Sequence, residues 1–258
     1  MITLFCLPCA GASAGMYFPW SDGLAEVAVL RALELPGRGR RIREPLLEDY
    51  AALTALLTRE LATALAAIDG PYAIFGHSMG ALLAHGIAQR LRTQSIRLPS
   101  ALLVSACAAP SAREWSLADD SDAALISSLR RQGGTREEVF DCPELLEMTL
   151  PVLRADYRVC TSFQQARTQQ PQEDLLSMPV HVFGGIEDAV PPAGLRAWQR
   201  ETAAQFTLDW FSGGHFYLQP QQHALLARIG DYLRRYRDKQ WGDVNSPSNA
   251  GIATLMSQ

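Results

Sequence analysis

No apolar run in this chain approaches the roughly 18 residues needed to cross a bilayer. Nor does a basic segment precede the apolar residues of the opening stretch MITLFCLPCAGASAG, as a secretory leader requires. A cytoplasmic protein with no membrane partner is expected. Positive charge is not in excess either: 23 Lys and Arg stand against 27 Asp and Glu, a formal charge of −4. Generalised nucleic-acid binding usually shows as a basic surplus, so no nucleic-acid partner is expected. Cysteine is sparse, with five residues at positions 6, 9, 107, 142 and 160. An odd, scattered set does not make a disulfide framework and fits reduced thiols. Cys6 and Cys9 do form a Cys-x-x-Cys pair, but no second such pair completes a zinc site. Neither a metal nor a cofactor of the protein's own is expected.

What is present is a 258-residue chain that is 48% apolar and 19% charged, with 15 Pro and 19 Gly. That is the profile of a soluble globular enzyme. Six apolar runs, ITLFCLP, VAVLRALELP, YAIFGH, SALLVSA, PVHVFGG and FTLDWFSGG, read as strands buried on both faces, as in a parallel sheet covered by helices. Between them, 49–68, 79–94 and 192–205 carry helical periodicity, and a last helix is expected to end near Lys239. The alternation predicts a doubly wound α/β sheet. It breaks between about Ser111 and Ser177, where only helical patterns occur. The expected layout is therefore a core of 1–110 and 178–239, a helical lid of 111–177 inserted into it, and a disordered tail over 240–258.

The strongest local signal is YAIFGHSMGALLAHGIA, in which a strand runs into Gly76-His77-Ser78-Met79-Gly80 and then a helix. This is Gly-x-Ser-x-Gly in the context that makes it a nucleophile elbow: the turn is too sharp for side chains on either side, and it lifts the serine hydroxyl above the sheet. A serine needs an adjacent base, and the base an orienting acid, here in the order Ser, acid, His. His215 follows the last strand in WFSGGHFYL, where Gly213 and Gly214 let the loop approach the site. His223 falls inside the last helical pattern and reads as a surface or packing residue, while His77, His85 and His181 read as structural. For the acid, PVHVFGGIEDAVPP offers Glu187 and Asp188, of which Asp188 is chosen. Asp156, amid helical residues, is the weaker candidate, expected in a solvated or capping role. An oxyanion hole takes one N–H from the residue after the nucleophile, Met79, and one from a loop after an early strand. LPCAGAS is that loop, with Ala10 N–H as the second donor. Cys9 adjoins it, and a thiol bordering the acyl site would make the enzyme sensitive to alkylation.

The chain resembles the type II thioesterases of nonribosomal peptide and polyketide synthesis, stand-alone editing enzymes of the α/β-hydrolase fold. The resemblance runs from about residue 3 to 236 and rests on motifs in order: Pro8-Cys9-Ala10-Gly11 with Trp20 downstream, LPGRGRR (35–41), GHSMGA (76–81), LPVLRADY (150–157), FGGIEDAVPP and GGHFYL (213–218). One departure is Ala12, where the family usually has a second glycine. The resemblance implies hydrolysis of stalled or wrongly primed acyl groups from the phosphopantetheine arm of acyl- or peptidyl-carrier-protein domains. A monomer is expected. Docking an acidic carrier would need a basic patch, for which Arg38, Arg40, Arg41 and Arg43 form one candidate and Arg130, Arg131 and Arg136 another. A carboxylesterase or fatty-acyl-carrier-protein thioesterase of the same fold is the alternative enzyme. A non-catalytic partner-binding protein that keeps the fold is the alternative of another class.

Overall fold

The six apolar runs are the six strands of the computed structural model, which describes residues 1–112, 119–169 and 174–238. In chain order the elements are β1 (Ile2–Leu7), α1 (Ser21–Leu24), β2 (Ala28–Ala32), α2 (Tyr50–Leu65), β3 (Tyr72–His77), α3 (Met79–Thr93), β4 (Ala101–Ser105), α4 (Asp122–Gln132), α5 (Glu137–Phe140), α6 (Pro143–Gln169), β5 (Val180–Gly185), α7 (Pro192–Arg196), β6 (Phe206–Phe211) and α8 (Gln222–Arg237). The sheet order is β2-β1-β3-β4-β5-β6, and every adjacent pair is parallel. Strands β1, β3, β4 and β5 are buried at every residue, which is why their sequences show no polar alternation. Only the edge strands β2 and β6 carry exposed positions.

Each face of the sheet has its own core. On one, α2 and α3 contribute Leu53, Leu57, Leu61, Leu83 and Ile87 against Phe5, Ile74, Leu102 and Val104. The buried positions of α2 recur every three or four residues, and Asp49 caps its start by accepting from Ala52 N–H at 2.8 Å. On the other face, α8 places Leu225, Ile229, Tyr232 and Leu233 against Ile2, Leu4, Phe75, Leu103 and Phe183.

The chain runs from β1 out to β2 and then returns to the opposite side of β1 as β3. The direction of winding therefore switches between β1 and β3, and in such sheets ligands bind in the crevice at the carboxyl ends flanking the switch. The loop after β1 and the residue after β3 both open there, with Leu7 in register with Gly76.

Between β4 and β5 the described residues hold the helices α4, α5 and α6. Helix α6 is mostly exposed before Pro151, an imino acid that removes one backbone hydrogen bond, and mostly buried after it, at Leu153, Ala155, Asp156, Tyr157, Val159 and Cys160. The expected helix over 192–205 is only partly present: α7 ends at Arg196 and the chain tightens into a 3₁₀ turn over Ala197–Glu201. The fully buried Trp198 accounts for this, because its indole N–H donates to the Cys107 carbonyl at 2.7 Å and pins the segment beneath β4's exit. The expected tail, 240–258, lies outside the described residues.

Candidate active site

Strand β3 ends at His77, and Ser78 turns directly into α3 with φ 54° and ψ −118°, a conformation that non-glycine residues rarely adopt. Both flanking glycines are sterically required. A Cβ on Gly76 would stand 2.1 Å from the Gly80 carbonyl oxygen, and one on Gly80 would stand 2.2 Å from the Leu7 carbonyl oxygen. The second contact also shows that the end of β1 rests on the first turn of α3. Ser78 N–H donates to the Ser105 carbonyl at 2.8 Å, which ties the strained residue to the end of β4.

The other two residues arrive from the ends of β5 and β6. Gly185 has no room for a Cβ, which would meet the carbonyls of Gly213 and Gly214 at 2.5 and 2.4 Å, so these two loops lie in contact. Glu187 N–H donates to the Gly213 carbonyl at 3.1 Å and holds them together. His215 Nε2 lies 3.0 Å from Ser78 Oγ, and His215 Nδ1 lies 3.0 and 3.1 Å from the two carboxylate oxygens of Asp188. The Asp188 side chain is 1% exposed and that of His215 12%. Glu187, the neighbouring acid, faces solvent. Serine, imidazole and carboxylate thus stand in one hydrogen-bonded row, with Ser78 half-buried at its end. Such a row can remove a proton from the serine hydroxyl and return it to a leaving group.

The loop after β1 approaches the same point. Of its backbone donors, Gly11 N–H is committed to Asp156 Oδ2 at 2.8 Å and Ala12 N–H to the Cys9 carbonyl at 3.2 Å. Ala10 N–H comes immediately before these two in the loop, and Met79 N–H opens α3.

A family model for the thioesterase domain matches residues 2–233. The chain belongs to the thioesterase family. It is 34% identical to thioesterase PikA5 of Streptomyces venezuelae, over 90% of this chain and 81% of that one. It is likewise 34% identical to the linear gramicidin dehydrogenase LgrE of Brevibacillus parabrevis, over 91% and 89% of the two chains. Its structure is similar to that of the type II thioesterase BorB from the borrelidin biosynthetic cluster, with a TM-score of 0.79, 40% identity, and 90% and 92% of the two chains covered. The fold is the α/β-hydrolase fold expected from the motifs.

In this thioesterase several sequence readings change. Asp156 is neither solvated nor a cap: it is fully buried and forms a two-pronged ion pair with Arg38, Nη1 to Oδ2 at 2.5 Å and Nη2 to Oδ1 at 2.7 Å. Arg38 is itself buried, and Arg41 is engaged by Glu44 and Glu60, so the first basic cluster presents only Arg40 and Arg43 to solvent. A helical reading places a residue on a helix without saying which face meets the core. Of the second cluster, Arg130 pairs with Glu137 at 3.2 Å. Cys9 is 3% exposed and burial pushes its thiol up to about 12, so it does not border the site as a reactive thiol.

The other histidines do not join this row. His181 bridges Thr207 Oγ1 and the Tyr236 hydroxyl at 2.7 and 2.6 Å, and His223 is exposed on α8. His77 lies beneath the site, its Nδ1 2.9 Å from Ser105 Oγ, which in turn shares a 2.6 Å hydrogen bond with the Tyr217 hydroxyl. Burial, and then the charge of nearby His215, hold its imidazole well below the usual histidine range, which keeps it neutral. This support from Ser105 and Tyr217 was not read from the sequence. Nor was Tyr17, whose hydroxyl donates to the Leu7 carbonyl at 2.7 Å and anchors the end of β1. The sequence signals were slight: Ser105 ends β4 and Tyr217 falls within the GGHFYL motif, while nothing singled out Tyr17.

Proposed function

We propose that this protein is a type II thioesterase that hydrolyses aberrant or stalled acyl groups from the phosphopantetheine arm of carrier proteins in nonribosomal peptide or polyketide synthesis. The observation that carries the reading is the row Ser78, His215, Asp188, with hydrogen-bond distances of 3.0 to 3.1 Å at both joints. In this mechanism Ser78 Oγ loses its proton to His215 Nε2 and attacks the thioester carbonyl. The N–H groups of Ala10 and Met79 hold the oxyanion, and Asp188 stabilises the imidazolium through Nδ1–H. His215 passes its proton to the departing thiol. A thiol of pKa about 8.5 leaves more readily than an alcohol, so the demand on this step is modest. Water deprotonated by His215 then attacks the acyl-serine, and the acid product and free Ser78 are released. The protein supplies no cofactor of its own; the phosphopantetheine arrives with the substrate.

We assign the segment 111–177, with α4, α5 and α6, as a lid over a core of 1–110 and 178–239, and Arg40 and Arg43 as the exposed cations available to an acidic carrier. No helix among the described residues is long and apolar enough to cross a membrane, and we assign a cytoplasmic monomer. LgrE bears the name of a redox enzyme; a serine-imidazole-carboxylate row serves acyl transfer and has no part in hydride transfer, which favours hydrolysis here.

The test compares turnover of acyl-carrier protein, acyl-CoA and p-nitrophenyl esters. Preference for the carrier thioester is expected; strong preference for the ester with the carrier left intact would replace this reading with that of a carboxylesterase. Labelling by a fluorophosphonate that disappears in Ser78→Ala identifies the nucleophile.

A further inference from the structure

The carboxylate that does not belong to the catalytic row reaches the site by another route. Asp156 projects from the buried half of α6, and its side-chain hydrogen bonds run to two loops. Arg38 takes both oxygens, and Oδ2 also accepts the N–H of Gly11 at 2.8 Å. Arg38 adds a bond from Nη1 to the Ala12 carbonyl at 3.3 Å. The loop that carries Ala10 is therefore tied to a helix 145 residues further along the chain.

The tie bears on the conformation of the loop. Cys9 to Ala12 is a four-residue turn closed by Ala12 N–H to the Cys9 carbonyl at 3.2 Å, and its third residue, Gly11, has φ +76°. A positive φ at that position marks a type II turn, which differs from type I by a flip of the central peptide. The central peptide here joins Ala10 to Gly11, and its N–H is the group that Asp156 accepts. Because N–H and C=O point in opposite directions across a trans peptide, the flip would turn the Ala10 carbonyl toward a carboxylate. Asp156 thus selects one of the two turns. Leu153, one helical turn before it, stands 3.3 Å from where a Gly11 Cβ would be, and Ala10 packs against the cluster of Leu125, Leu129, Leu150, Leu153 and Tyr157. The far end of the loop is held differently, by Glu34 of the core, whose Oε1 accepts Ala14 N–H at 3.0 Å.

We propose that Asp156 is a positioning residue that anchors the turn Cys9–Ala12, whose first peptide carries the Ala10 N–H, so that this donor is held at the site only while α6 is seated on the loop. The inference rests on the function proposed above, in which Ala10 N–H binds the oxyanion. It makes seating of α6 a condition for catalysis as well as for access.

Two double variants separate positioning from mere support. Arg38→Met/Asp156→Leu removes both charges together, which buried pairs often tolerate without loss of stability, and leaves Gly11 N–H without an acceptor. Arg38→Gln/Asp156→Asn removes the charges and keeps an amide oxygen for Gly11. The first is expected to lose about 100-fold in kcat, the scale of one oxyanion donor, with KM within about twofold. Its affinity for an acyl trifluoromethyl ketone, whose hemiketal oxyanion occupies the same hole, should fall in proportion to kcat/KM. The second should recover most of both. Equal activity in the folded Met/Leu variant and the wild type overturns the proposal, as does a loss that the Gln/Asn variant fails to recover. Amide exchange in the wild-type enzyme needs no variant to fold: Gly11 N–H should be protected and open together with the amides of α6, and rapid independent exchange refutes the tie. A wild-type enzyme that leaves acyl-carrier protein and acyl-CoA intact would instead overturn the functional reading, and the exchange result would still stand.

Discussion

Replacing Asp188 with Asn tests the catalytic row at its least exposed joint. The substitution is nearly isosteric and the side chain is 1% exposed, so packing changes little, but the charge facing His215 is lost. With Nδ1 3.0 Å from Oδ2, an imidazolium and a carboxylate at that separation attract by about 5.5 kcal/mol at an effective dielectric near 20. That attraction exists only when His215 is charged, which is during the transition state. It corresponds to about 10⁴-fold in rate at roughly 1.4 kcal/mol per decade. The amide has a second effect in the same direction: its NH₂ can donate to Nδ1, which moves the imidazole proton to Nε2 and points a donor, not a base, at Ser78. The assay is the acylation burst and steady-state turnover of an acyl thioester, with thermal melting as the control for folding. Asp188→Asn should lower kcat by about 10⁴ with KM little changed and melting unaltered. A loss smaller than tenfold in a folded variant would falsify the assignment of Asp188 and turn attention to Glu187.

Burial pushes the His181 imidazole down to about 4, so between about pH 6.5 and 4 the unfolded chain binds a proton there that the folded one does not. Stability should be complete above pH 6.5 and decline as pH falls, by up to about 3 kcal/mol in all; His181→Gln should flatten a urea-midpoint profile across that window, and an unchanged slope would contradict it. Gly80→Ala places a Cβ 2.2 Å from the Leu7 carbonyl oxygen, a backbone atom that cannot rotate away, and should cost about 3 kcal/mol or more in urea unfolding. A wild-type midpoint would show that β1 and α3 part more easily than their contact implies. Cys9, buried and with its thiol at about 12, should remain unmodified by iodoacetamide at pH 7.5 in the native enzyme, as read by mass spectrometry, and turnover should persist.

By itself the sequence determined everything that depends on local sterics and on burial of both sheet faces. Strands covered on two sides are largely apolar, so the four central ones, β1, β3, β4 and β5, could be read directly, and the edge strands β2 and β6 still showed as short apolar runs despite their exposed positions. An elbow between strand and helix must have glycine beside the nucleophile, and Gly76 and Gly80 reported Ser78 for that reason. The order of acid and histidine after it, with Gly184 and Gly185 before one and Gly213 and Gly214 before the other, led to Asp188 and His215. Tertiary structure alone decided which polar faces meet. The arginines of LPGRGRR read as a candidate basic patch for an acidic carrier, yet Arg38 is withdrawn into an ion pair with Asp156, 118 residues away. The helical periodicity over 192–205 gave way where the indole of Trp198 found the Cys107 carbonyl. Periodicity and turn chemistry are written residue by residue, whereas the partner of a buried charge depends on which helix the folded sheet brings over which loop. In this thioesterase α6 is brought over the turn at Ala10.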